Sequence, residues 1–111
     1  MYKSEYSYFF GLLVKRVTEP ELMNNPFQAQ AYASADFSET DHQIVLNLEL
    51  FLKEVGKKID EKTLFVDLGC GPGNIAERLA MKWTAAEVLG IDGSKEMLAI
   101  AKDRAQKLKQ K

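Results

Sequence analysis

Hydrophobic and polar residues follow two different periods along the chain, and the period changes near residue 60. In the segment SETDHQIVLNLELFLKEVGKK the apolar residues recur every three or four positions, which predicts an amphipathic helix. Ser38 or Thr40 is its expected N-terminal cap, and Gly56 is its expected C-terminal cap. The predicted apolar stripe consists of Ile44, Leu48, Phe51, Leu52 and Val55.

A shorter helix is predicted just before it, from Pro26 to about Ser34. Asn25 is a good N-terminal cap, and the proline that follows suits the first helical position. Thr18 and Glu21 have the spacing of a capping box, so a short helical turn is expected upstream. The first half of the chain is therefore predicted to be helical.

Beyond residue 60 the chain alternates between short apolar runs and helical segments. Thr63–Leu68 and Glu87–Ile91 are predicted strands, and the first lacks clean alternation, as expected of a strand buried on both faces of a parallel sheet. Helices are predicted over Asn74–Trp83 and after the capping residue Ser94. The residues predicted to face inward from these two helices are Ile75, Leu79 and Trp83, then Met97, Ala101, Ala105 and Leu108.

The order strand, helix, strand, helix predicts an α/β fold with parallel strands and a right-handed crossover. We divide the chain into a helical segment, residues 1–58, and an α/β domain, residues 59–111. The basic residues of the last helix suit the negative end of its dipole and are interpreted as a solvated face. These are Lys102, Arg104, Lys107, Lys109 and Lys111.

Composition narrows the classes of function. The 111 residues have a formal net charge of −1, with 15 basic and 16 acidic side chains, so neither a nucleic acid nor an anionic membrane is an expected partner. The apolar run Phe9–Val14 is far shorter than the roughly 20 residues that cross a bilayer, and is interpreted as an N-terminal helix or arm. A single cysteine, Cys70, cannot form an internal disulfide. A cytoplasmic protein without a metal site is expected.

The stretch VDLGCGPGNIAERLA places three glycines between the first predicted strand and the next helix. Gly69, Gly71 and Gly73 have no Cβ and tolerate a positive φ, so the chain can turn sharply while a ligand approaches its backbone. The N–H groups that begin the following helix point toward such a ligand. The turn is therefore predicted to hold a small molecule.

The spacing of this turn disfavours two common phosphate sites. Asn74 stands where the third glycine of a dinucleotide fingerprint belongs, and no lysine followed by serine or threonine completes a phosphate loop. An oxidoreductase that uses NAD is thus a disfavoured alternative. Asp67, two residues before the turn, would repel a pyrophosphate and would instead favour an amine or a sulfonium. The alternative for Asp67 is a strand-end acid that caps the next helix.

A second acid, Asp92, ends the second predicted strand. It follows Gly73 at about the 20 residues expected of a carboxylate that binds ribose hydroxyls. The alternative for Asp92 is an ordinary turn residue. Because parallel strands bind ligands at their carboxyl ends, Asp67 and Asp92 are expected at one site.

The residues VDLGCGPG, followed by VLGIDGSKEML, resemble the class I S-adenosylmethionine-dependent methyltransferases, and the resemblance is specific over residues 64–102. It implies a Rossmann-like fold and S-adenosylmethionine as cofactor. The glycine turn would lie against the methionine part, with Asp67 near its amino end and Asp92 on both ribose hydroxyls. The adenine would be flanked by Gly93, Ser94 and Met97. Cys70 belongs to the same turn. It is interpreted as a small filler rather than a nucleophile, because the nearby sequence contains no His or Lys that would lower the pKa of its thiol.

The helical N-terminal segment looks like the region that such enzymes place over the cofactor, which suggests a lid. The fold that this chain resembles has seven strands, whereas two are predicted here. Our hypothesis is an N-terminal portion of a methyltransferase, truncated or split, that is weak or inactive alone. Its sheet edge is expected to be covered by self-association, by exchanged elements or by the N-terminal helices, and a complementing C-terminal half is a candidate partner. The methyl acceptor is expected to be a small molecule, and no catalytic residue is identified. The alternative is a non-catalytic adenosyl- or nucleotide-binding module.

Overall fold

A computed structural model describes residues 24–110 of the chain. The predicted turn at Thr18–Glu21, the apolar run Phe9–Val14 and Lys111 lie outside these residues. The described elements, in chain order, are α1 (Pro26–Ser34), α2 (Ser38–Glu54), β1 (Leu64–Leu68), α3 (Asn74–Lys82), β2 (Glu87–Ile91) and α4 (Lys95–Lys109).

The two strands lie side by side and run parallel, with α3 as the connection between them. Their register places Asp67 opposite Gly90 and Leu68 opposite Ile91. Both strands therefore end at the same level, and the loops that follow them meet at one edge of the sheet. The predicted α/β architecture, two parallel strands with helices and preceded by N-terminal helices, is confirmed.

The caps of the first two helices arise from local hydrogen bonds. The predicted cap of α1 is confirmed, since Oδ1 of Asn25 accepts hydrogen bonds from two backbone N–H groups of the first turn, at 2.9 and 3.3 Å. The prediction that Ser38 or Thr40 caps α2 is wrong. Phe37 occupies that position without a side-chain bond, while Oδ1 of Asp36 accepts from the N–H of Ser38 at 3.0 Å.

The C-terminus of α2 is capped by a glycine, as predicted. Gly56 has φ +69°, and the N–H of Lys57 donates to the carbonyl of Leu52 at 2.8 Å. This is the Schellman arrangement, in which a left-handed residue lets the chain satisfy the last carbonyls of the helix.

The core lies between α2, α3 and the sheet. Its buried centre consists of Val45, Ala76, Leu79 and Val88. Partly buried side chains pack around this centre: Leu48, Phe65, Ile75, Ala80 and Trp83. At the edge of the contact, Nζ of Lys82 lies 2.8 Å from a carboxylate oxygen of Glu49, which ties α3 to α2.

The predicted stripe of α2 is only partly correct. Ile44, Phe51 and Val55 are exposed, whereas Val45 and Asp41 are buried. The reason is that α2 packs against α3 through the side that carries Val45. Periodicity identified an amphipathic helix but not the side that meets its neighbour.

The prediction that β1 is buried on both faces is wrong for the part of the chain that the structure describes. One face carries Phe65 and packs on the core beneath α3. The opposite face carries Leu64, Val66 and Leu68, each about half exposed. We call these three residues the open face of β1.

The last helix packs on α3 and on α1. It buries the predicted residues Met97 and Ala101 together with Leu98, and Ala29 of α1 is fully buried. None of the helices within residues 24–110 combines the length and the hydrophobicity that a membrane-spanning helix requires.

Candidate functional site

The predicted glycine turn lies at the carboxyl edge of the sheet, between β1 and α3. The N–H groups of Gly69 and Cys70 both donate to the carbonyl oxygen of Ile91, at 2.7 and 3.0 Å. The turn is thereby anchored to the last residue of the neighbouring strand.

All three glycines of the turn adopt the left-handed conformation that their sequence predicts. Their φ angles are +73° for Gly69, +54° for Gly71 and +87° for Gly73, which is the N-terminal cap of α3. A side chain in this region costs about 1–2 kcal/mol per residue. At Gly69 and Gly71 an added Cβ would meet no atom of residues 24–110 within 4 Å, so the requirement is conformational and these residues leave the space above the turn open.

Asp67 is the penultimate residue of β1, two residues before Gly69. Its Oδ2 atom is buried and has no hydrogen-bond partner among residues 24–110. Burial, and to a smaller extent the negative charge of Asp92, raise the pKa of the Asp67 carboxyl above its usual value. An unpaired buried carboxylate oxygen is unfavourable by itself, and a cationic ligand would relieve it.

Asp92 follows β2, and each of its carboxylate oxygens already accepts one hydrogen bond. Oδ2 accepts from the N–H of Gly71 and Oδ1 accepts from the N–H of Ser94, both at 2.8 Å. The sequence predicts Asp92 as a ribose ligand but gives no sign of its bond to Gly71, because the two residues are 21 positions apart. The lone pairs that remain on both oxygens are available to hydroxyl groups.

The residues after Asp92 begin α4. Ser94 caps this helix as predicted, since its Oγ accepts a hydrogen bond from the N–H of Met97 at 3.2 Å. Ser94 and Met97 are buried, and Gly93 is partly buried. A role for these three residues beside an adenine stays a prediction.

Cys70 is buried within the turn. Burial, followed by the charges of Asp67 and Asp92, raises the pKa of its thiol to about 12. A thiol that stays protonated at neutral pH is a poor nucleophile, in keeping with the predicted filler. In residues 24–110, no group of three or more His, Cys, Asp or Glu side chains could hold a metal ion.

Asn74 occupies the position of the missing third glycine, and its side chain accepts a hydrogen bond from another helix. Arg104 of α4 donates a hydrogen bond to Oδ1 of Asn74, and its Nε lies 3.5 Å from a carboxylate oxygen of Glu77. Arg104 therefore bridges α3 and α4, and its assignment to a solvated face is wrong. Lys102, Lys107 and Lys109 are exposed, as predicted.

Residues 65–111 match the family model described as a methyltransferase domain. The match begins in β1 and includes the glycine turn, Asp92 and α4. The family indicated by the sequence resemblance is therefore supported by an independent comparison over the same segment.

Relatives similar to this chain include several trans-aconitate 2-methyltransferases. That of Rhodopseudomonas palustris is 46% identical over 46 residues, which are 41% of this chain and 18% of the relative. That of Variovorax paradoxus is 50% identical over 46 residues, with the same coverage. That of Delftia acidovorans is 57% identical over 37 residues, or 33% of this chain and 14% of the relative. The matches thus span less than a fifth of the length of these curated relatives.

Proposed function

We propose that the glycine turn, Asp67 and Asp92 bind S-adenosylmethionine, and that the protein takes part in methyl transfer to a small-molecule acceptor. The observation that carries this proposal is the buried Oδ2 of Asp67, which has no hydrogen-bond partner within residues 24–110 and lies beside a turn of left-handed glycines. The match of residues 65–111 to a methyltransferase domain supports it.

The residues at the edge of the sheet fit this ligand in charge and in shape. The unpaired oxygen of Asp67 would accept a hydrogen bond from the ligand's ammonium group, which is stronger than a bond between neutral groups. The open space over Gly69 and Gly71 lets the ligand's chain approach the backbone. The free lone pairs of Asp92 would accept from ribose hydroxyls, and Gly93, Ser94 and Met97 are the proposed neighbours of the adenine.

When bound, S-adenosylmethionine supplies a methyl group on a positively charged sulfur, which a nucleophilic atom of the acceptor attacks in line. The contribution of this chain is to hold and orient the donor. The described relatives are named for methylation of trans-aconitate, so a small carboxylic acid is the first acceptor to test.

The first experiment is calorimetric binding of S-adenosylhomocysteine to the purified chain and to Asp92→Ala. Asp103→Ala is the matched control, since it removes an exposed carboxylate from α4. We expect binding by the wild type and the control and a loss of at least about tenfold in Asp92→Ala, because hydrogen bonds to a carboxylate disappear. No binding by a folded wild type would overturn the proposal.

A non-catalytic adenosyl- or nucleotide-binding module is the second candidate. It is favoured by the described site itself: Asp67 and Asp92 both have proposed roles in holding the ligand, and no catalytic residue is identified among residues 24–110. The two candidates differ in a methyl-transfer assay with trans-aconitate and labelled S-adenosylmethionine. Turnover would refute the module. Ligand binding without turnover is expected of the module and equally of a methyltransferase portion that is inactive alone. Displacement of S-adenosylhomocysteine by NADH would instead point to a dinucleotide site.

The open face of β1 is also the proposed contact for a partner. Three aligned aliphatic side chains on a strand are unfavourable in water and are normally covered in α/β sheets. We propose that self-association covers this face.

A further inference from the structure

We propose that Asp92 is a positioning residue that fixes the glycine turn before any ligand arrives. The inference deepens the ligand site proposed above and rests on it only for its second test. If Asp92 served only as a ligand of ribose, a hydrogen bond between its carboxylate and the glycine turn would not be required. In this structure the same carboxylate already joins the loops that follow the two strands.

The bond to Gly71 is well placed to control the turn. Gly71 is the central glycine, between the two other left-handed residues. Gly69 and Cys70 are held by the carbonyl of Ile91, and Gly73 N–H donates to the carbonyl of Cys70 at 3.0 Å. The side chain of Asp92 is the described partner of the remaining N–H, that of Gly71, at 2.8 Å. The turn therefore depends on one side chain for its central bond.

The other oxygen of Asp92 fixes the carboxylate itself. It accepts from the N–H of Ser94, whose Oγ in turn caps α4 through the N–H of Met97. Ser94 is only 2% exposed, so this anchor is buried within the fold. The glycine turn is thus tied, through Asp92, to the first turn of α4.

This arrangement couples the binding of two parts of one ligand, the methionine part and the ribose. The turn is the proposed contact for the methionine part, while the free lone pairs of Asp92 are the proposed contact for ribose. A preorganised turn lowers the ordering cost of binding. Loss of Asp92 is therefore expected to weaken binding of the methionine part as well as of ribose.

The first test uses the protein without ligand. Amide hydrogen exchange is measured by NMR for Gly71 and for Val45, a core residue of α2, in the wild type, Asp92→Ala and the control Asp103→Asn. We expect exchange at Gly71 to rise at least about tenfold in Asp92→Ala and to stay unchanged in the control. Unchanged exchange at Gly71 in the variant would overturn the proposal.

The exchange of Val45 separates a local effect from general destabilisation. If exchange at Gly71 and at Val45 accelerates equally, Asp92 stabilises the whole domain, and its specific role in the turn is refuted. Should Asp92→Ala fail to fold, Asp92→Leu serves instead, because leucine has a similar size and no acceptor atom. We expect faster exchange at Gly71 in this variant too, and unchanged exchange at Gly71 would contradict the proposal.

The second test removes the ribose hydroxyls from the ligand. Binding of the 2′,3′-dideoxy analogue of S-adenosylhomocysteine is compared between the wild type and Asp92→Ala. If Asp92 acted only through ribose, the two proteins would bind this analogue equally, whereas a positioning role predicts a gap of at least about threefold. Absence of S-adenosylhomocysteine binding by the wild type would refute the proposed function and leave the exchange result for Gly71 standing.

Discussion

Gly56 and Gly69 have nearly the same positive φ angle, +69° and +73°, and at both positions an added Cβ would meet no atom of residues 24–110 within 4 Å. The two glycines differ in their position in the fold. Gly56 ends α2, whereas Gly69 opens the turn at the edge of the sheet. The pair therefore separates the conformational need for glycine from a need for ligand access.

We expect Gly56→Ala and Gly69→Ala to destabilise the chain by a similar amount, about 1 kcal/mol, because each forces a Cβ into the left-handed region. Only Gly69→Ala should also weaken S-adenosylhomocysteine binding, since its methyl group enters the open space over the turn. Urea denaturation and calorimetry measure the two effects. Equal affinity in both variants would show that no ligand approaches Gly69.

At neutral pH, Asp67→Asn should raise the free energy of unfolding and lower the affinity of the protein for its ligand. The pKa of Asp67 is raised by burial and then by Asp92, so the ionised side chain disfavours the folded state. The wild-type free energy of unfolding should therefore fall as the pH rises from the ordinary value of 3.8 through the raised pKa, relative to the variant. Urea denaturation of both proteins from pH 3 to 7 measures this difference.

The same substitution removes the charge that would attract an ammonium group. We expect the affinity for S-adenosylhomocysteine to fall at least about tenfold in Asp67→Asn. Wild-type binding should also weaken as the pH falls through the raised pKa of Asp67, whereas the affinity of the variant should not follow this titration. An unchanged affinity in Asp67→Asn would remove Asp67 from the site.

Cys70 should be inert in the folded protein. With the pKa of its thiol raised to about 12, the reactive thiolate is scarce at pH 8, and the side chain is also buried. Ellman's reagent should therefore modify native Cys70 at least about 100-fold more slowly than the urea-unfolded chain. Since the sequence has a single cysteine, the reaction reports this thiol alone. Fast modification of the native protein would contradict its burial.

Neighbouring residues of α2 should respond differently to truncation. Val45 is 7% exposed and belongs to the core, whereas Ile44 is 47% exposed. We expect Val45→Ala to lower the free energy of unfolding by about 2 kcal/mol and Ile44→Ala by less than about 1 kcal/mol. Comparable losses at the two positions would mean that the side carrying Ile44 is covered in solution.

Val66→Lys should reduce self-association. Val66 is the central residue of the open face of β1, and a charge there opposes burial. Met81→Lys is the matched control, because Met81 is an exposed apolar side chain on α3. Sedimentation over a range of concentrations should show association of the wild type and the control and a monomer for Val66→Lys. A wild type that is monomeric at all concentrations would refute self-association through this face.

Local interactions account for what the sequence determined alone. The bounds of α1 and β2 agree with the predictions, because a cap and a short β-prone run act within a few residues. The same holds for the left-handed glycines, since a sharp turn from a strand into a helix requires them wherever the chain lies in space. The glycine turn and the two acids at the strand ends were therefore recognisable from spacing and residue type, whereas the proposed roles of Gly93, Ser94 and Met97 rest on the family resemblance.

Contacts between distant segments decided the rest. The buried side of α2, the open face of β1 and the bridge from Arg104 to Asn74 depend on which elements are neighbours, and periodicity within one element carries no such information. The bond from Gly71 to Asp92 and the unpaired oxygen of Asp67 belong to this class as well. They arise only when parallel pairing brings the ends of β1 and β2 to one edge, where burial and charge act between residues that are far apart in the chain.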